Sequence, residues 1–149
     1  MDRKGIAING IIAGLYIVLT LINPLSFSVI NIRIADFIPV IAIIDNKKRL
    51  GVTLGMAIAN FFSPFGLIDV VVALMICLFS FYLMNGIASK NIRILLLAIS
   101  TSVLVSVEIS TLSHTPFIFE LMMLLATQIP MCFIGAAILK KIERYFTNV

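Results

Sequence analysis

The chain has 149 residues, 61% of them hydrophobic and 12% charged, with a mean hydropathy of +1.16, which is too apolar for a soluble domain that must present a polar surface to water. Its net charge is +4, but the basic residues fall in short clusters between apolar runs, as membrane topology requires, and do not form the one patch that nucleic acid needs. The composition is that of an integral membrane protein, read as one domain over residues 1–149.

A bilayer takes roughly 20 residues of helix per crossing, fewer where it is locally thinned. Six runs meet that measure approximately: Ile6–Ile22, Ile34–Ile44, Leu50–Phe62, Leu67–Met84, Ile92–Thr111 and Phe117–Leu139. The first follows Met1-Asp2-Arg3-Lys4 without a small-x-small cleavage site, so it reads as a retained span and not as a signal peptide. The second and third are short, and a single re-entrant pair is the other reading. The charges argue for six spans: the clusters Arg3/Lys4, Lys47–Arg49, Lys90/Arg93 and Lys140/Lys141/Arg144 then share one side, which places both termini in the cytoplasm by the positive-inside rule. Ten of the eleven Lys and Arg residues obey it, and Arg33 does not.

The first span carries Gly10, Ala13 and Gly14, a small-residue face suited to close helix contact within the bundle or with a partner. Tyr16, Thr20 and Asn23 form a polar stripe beside it. Arg33 and Asp36 stand three residues apart, on one face if the segment is helical. Ionisable groups at membrane depth are costly and normally face a cavity, a partner or water. The third span repeats the small-residue pattern at Gly51, Gly55 and Ala59, and leads through Asn60 to a turn punctuated by Pro64 and Gly66. Asp69 follows, either as a carboxylate favoured at a helix start or as part of a site. In the fifth span Ser102, Ser106 and Ser110 share a face, and Glu108 lies at the end where the helix dipole disfavours an anion. The sixth places Glu120, Thr127 and Gln128 on one face, with Pro130 just beyond; Glu120 has a second reading as a solvated first-turn carboxylate. His114 reads as a loop residue, and Cys77 and Cys132 as small buried core residues.

Four acids, Asp36, Asp69, Glu108 and Glu120, thus fall near the outer ends of different spans, an asymmetry that suits a cationic or donor-rich ligand. No GxGxxG, Walker A, HExxH, Cys/His metal set or GxSxG is present, so catalysis, a bound metal and a cofactor are not expected.

Several stretches together are familiar: Ala13–Leu21, Ile32-Arg33-Ile34-Ala35-Asp36, Ala59-Asn60, Ser63–Asp69 and Glu108. Over nearly its whole length the chain resembles the QueT family, the substrate-binding S components of energy-coupling factor (ECF) transporters. It departs from that pattern at Asp36 for a longer Glu, Ala73 and Ser106 for Gly, and Thr127-Gln128 for a Gly-Glu pair. The resemblance implies a cell-membrane protein of a prokaryote that captures a queuosine precursor, a 7-deazaguanine such as preQ1, and associates with a membrane scaffold protein and two cytoplasmic ATPases. It implies Tyr16, Arg33, Asp36, Asn60, Asp69, Glu108 and Gln128 as substrate-binding residues, and Gly10, Ala13 and Gly14 as the docking face. Other readings are an S component for a different vitamin-like solute, a solitary homo-oligomeric transporter, and a structural membrane protein.

Overall fold

The computed structural model describes residues 3–23 and 34–147, with side chains through 141. Arg33, one of the expected binding residues, therefore lies outside the described residues, as does the side chain of Arg144. The described residues are helical and contain no strand.

Helix α1 (Arg3–Ile22) is followed by a 3-10 turn (Ile34–Phe37) that enters the short α2 (Pro39–Ile44), with Pro39 in its first turn, where a missing N–H costs nothing. Extended backbone at Asp45 ends α2, and the Asp45 carboxylate accepts the Lys47 N–H at 3.0 Å to start the next turn. Helix α3 (Arg49–Phe61) runs to the Pro64–Gly66 turn, where Gly66 adopts φ +55°, open to glycine at no steric cost. The Ser63 Oγ accepts the Gly66 N–H at 3.1 Å. Helix α4 (Leu67–Cys77) continues through a π turn (Leu78–Tyr82) and a 3-10 turn (Leu83–Gly86). Helix α5 (Lys90–Ser113) stops at His114 in the left-handed region, and α6 (Phe117–Thr147) follows.

Among the described residues four stretches are long and apolar enough to cross a membrane: Arg3–Ile22, Leu67–Gly86, Lys90–Ser113 and Phe117–Lys141. The 13 residues of α3 extend about 20 Å at 1.5 Å per residue, short of a hydrocarbon core of roughly 30 Å, and Ile34–Ile44 is shorter still. Asp36 meets Gln128 and Cys132 in the middle of α6, so it lies deeper than the outer-end position expected for it.

Close packing of α1 on α3 organises one half of the molecule. A Cβ on Gly51 would lie 2.5 Å from the Asn9 carbonyl oxygen, and one on Gly55 would lie 3.0 Å from both Ala13 Cα and Tyr16 Cβ. The small residues of α3 are therefore an internal contact, as expected. Asn9 closes that contact: its Oδ1 accepts the Gly51 N–H at 2.6 Å, and its Nδ2 donates to the carbonyls of Gly5 and Lys47. Gly51 is among the first residues of α3, whose N–H groups have no partner within the helix, so a side chain from α1 caps α3. At the other contact, α5 and α6 pack along their lengths. The shared core holds Tyr16, Ile38, Val52, Phe81, Leu97 and Leu124, with Cys77 and Cys132 buried in it as free thiols. Large apolar side chains such as Ile11, Phe61, Leu67, Ile118 and Met122 point outward, as a lipid-facing surface requires.

Candidate functional site

Polar residues on six segments converge where α1 to α6 leave a gap. Tyr16 from α1, Asp36 from the turn before α2, Asn60 at the end of α3, Asp69 in the first turn of α4, Glu108 late in α5 and Gln128 in α6 all line one cavity. About 380 Å³ lies between its wall atoms and in its open mouth, of which only about 20 Å³ is wide enough for the centre of a water molecule. Apolar groups, among them Met56, Val72, Ile76, Val105 and Leu124, complete the wall. The structure thus brings together six of the seven binding residues expected from the sequence.

Asp36 is engaged on both oxygens. The Tyr16 hydroxyl donates to Oδ1 at 3.2 Å and the Gln128 amide donates to Oδ2, and all three residues are at most 6% exposed. Tyr16 and Gln128 therefore fix the Asp36 carboxyl group as an acceptor on either side. Asn60 donates to the Met56 carbonyl at 2.9 Å within its own helix. Asp69 and Glu108 are buried in the same wall. Among the described residues no three His, Cys, Asp or Glu side chains stand close enough to hold a metal ion. Such a wall offers acceptors to a ligand that brings positive charge or several N–H donors. Exchanging Gln128 for Leu takes the Gln128 amide away from a buried carboxylate oxygen; thermal unfolding in detergent is expected to show a loss of about 1–3 kcal/mol. A variant as stable as the parent would mean that this contact does not hold Asp36.

Three expectations change. Glu120 is 1% exposed, so it is not a solvated first-turn carboxylate, and it does not line the cavity. Its Oε1 is buried without a hydrogen-bond partner. Thr127 does not line the cavity beside Gln128, and its hydroxyl bonds to the Met123 and Leu124 carbonyls of its own helix. On α5 the serine face serves the helix itself: the Ser102 and Ser106 hydroxyls donate to carbonyls one turn back. The cavity face of α5 is instead Thr101, Val105 and Glu108. Thr101 and the apolar wall escape a reading of the sequence, although a signal is present. Each lies three, four or seven residues from an acid or amide on the same helix: Met56 before Asn60, Val72, Ala73 and Ile76 after Asp69, Leu124 before Gln128.

The expected docking face divides too. Gly10 and Gly14 are exposed, and a Cβ on either would meet nothing within 4 Å, so packing inside the bundle does not account for them. Ala13 is 9% exposed and faces Gly55, which assigns it to the α1–α3 contact and removes it from an outward stripe. His114 is exposed at the end of α5, as expected of a loop residue.

Long apolar helices around a polar, carboxylate-lined cavity define a multi-pass membrane protein that handles a solute. The chain belongs to the QueT transporter family, whose model matches residues 6–144. Comparisons with curated proteins and with solved structures returned no match.

Proposed function

We propose that this chain is the S component of an energy-coupling factor importer and captures a queuosine precursor, a preQ1-like 7-deazaguanine, from outside the cell. In this reading it is one domain of six membrane segments with both termini in the cytoplasm of a prokaryote. A scaffold protein and two ATPases supply the power, since the chain has no Walker A motif.

The observation that carries the reading is the convergence of Asp36, Asp69 and Glu108 on one cavity with Asn60 and Gln128. A deazaguanine presents donors along its Watson–Crick edge, which a carboxylate accepts in pairs, and preQ1 adds an ammonium group for a second carboxylate. Gln128 engages one oxygen of Asp36, and Asp69 and Glu108, in the same wall, are the acids assigned to the ligand. That engagement also favours the second reading, a different vitamin-like solute with fewer donors. Mass spectrometry of small molecules released from the purified protein, followed by titration with preQ1 and guanine, separates the two. Release of a non-purine solute and no binding of either probe would reject the first.

The exposed Gly10 and Gly14 are proposed to seat the scaffold protein. Gly14→Leu is expected to abolish co-purification of the ATPase module while solute affinity stays unchanged. Equal loss of both would show that the residue acts on the fold and not on docking.

A further inference from the structure

Two arginines are buried at the end of the bundle opposite the carboxylate cavity. Arg49, which opens α3, and Arg93, in the first turn of α5, are each 7% exposed. Neutral groups hold Arg49: its Nη2 donates to Asn46 Oδ1 at 2.6 Å and to Asn85 Oδ1 at 2.7 Å, its Nε donates to the Ala42 carbonyl at 3.4 Å, and its guanidinium lies 5.5 Å from the centre of the Tyr82 ring. Arg93 has less. Its Nε and Nη2 are buried and reach no acceptor. Both are held at the end of the α4 segment: Arg49 lies against Tyr82 and Asn85, and α5, whose first turn carries Arg93, packs on the π turn that ends at Tyr82. The acid at this end among the described side chains, Asp45, is engaged elsewhere: its Oδ2 lies 3.5 Å from Lys48 Nζ and its Oδ1 accepts the Lys47 N–H.

An arginine does not shed its proton to escape burial. A buried charge without a counter-charge is strongly unfavourable, and a second of like sign beside it adds repulsion. An anion removes both costs. The fork of N–H groups on a guanidinium matches two oxygens of a phosphate, and the first turn of α5 contributes the positive end of its dipole.

We propose that Arg93 and Arg49 form a binding site for a phosphate group, carried by an anionic phospholipid headgroup or free in solution. The surroundings favour the lipid. Ile92 and Leu95 on α5 and Tyr82 and Leu83 at the end of the α4 segment are exposed beside the pair, an apolar border that acyl chains cover, and basic pockets between membrane helices bind such headgroups. The site is independent of the solute reading, being separate from the cavity that carries it.

The test uses the full chain in neutral detergent, with thermal unfolding followed after addition of phosphatidylglycerol, phosphatidylcholine or inorganic phosphate. For the parent, phosphatidylglycerol is expected to raise the midpoint by several degrees more than phosphatidylcholine, and native mass spectrometry is expected to retain a bound phosphatidylglycerol. If inorganic phosphate reproduces the rise, the phosphate alone is the ligand; if it does not, the lipid is. Arg93→Met is expected to lose the rise, and in phosphatidylcholine to unfold no lower than the parent, since it has shed an unanswered charge. Arg93→Gln is the second variant should the first fail to fold. An equal response of the parent to both lipids with none to phosphate, or an undiminished rise in either variant, would overturn the proposal.

Discussion

Exchange of Glu108 or Asp69 for alanine is expected to weaken solute binding by about 2 kcal/mol or more, roughly a 30-fold rise in Kd. Both carboxylates are over nine-tenths buried in the wall of the cavity. A ligand N–H that enters there leaves water behind, so losing its acceptor strands it in a place where nothing replaces the bond. The two acids differ in what else they do. Asp69 also sits in the first turn of α4, where a carboxylate stabilises the helix by about 0.3–1 kcal/mol. Glu108 lies near the C-terminal end of α5, where the dipole works against it. Thermal unfolding without solute is therefore expected to drop slightly for Asp69→Ala and less for Glu108→Ala, while binding of preQ1 falls for both. Unchanged affinity in both variants would move the solute to another part of the molecule.

The second large effect concerns the fold itself. Gly51→Ala places a Cβ 2.5 Å from the Asn9 carbonyl oxygen and 2.8 Å from both Asn9 Cα and Asn9 Oδ1. The nearest atoms are backbone, which cannot swing aside, so α1 and α3 must separate. Overpacking of this kind costs about 1–3 kcal/mol, and separation also stretches the bond from the Gly51 N–H to Asn9 Oδ1, worth about 1 kcal/mol. Gly14→Ala is the control, because its Cβ enters open space and alanine favours a helix by about 1 kcal/mol over glycine. Melting in detergent is expected to fall for Gly51→Ala and to hold or rise for Gly14→Ala. Equal midpoints would mean that the close contact of α1 with α3 does not form.

Much of this is legible in the order of residues. Apolar runs bounded by Pro, Gly and charge mark where each helix begins and ends, and the ends of α1, α5 and α6 fall within a few residues of their expected places, save that α6 continues past its expected end. That works because helix limits are set locally, by caps and breakers and by the cost of an unsatisfied backbone in lipid. The expense of a lone carboxylate among apolar residues is enough to single out Asp36, Asp69 and Glu108 from their positions along the chain. Asn9 escapes such a reading, since an asparagine near a helix start carries no mark of the distant α3 N–H that it caps.

The sequence by itself determined a helical membrane protein, its small-residue contacts and the acids too costly to be accidental. Only the tertiary structure decided which of those acids meet. Glu120 and Glu108 look alike as letters, yet one is buried away from the cavity and the other lines it. Gly14 and Ala13 are chain neighbours, yet one faces outward and the other packs on Gly55. Periodicity says which residues share a face of a helix. The rotation and depth of each helix, and so where that face points, come from how side chains on different helices fit against one another, which no single segment encodes.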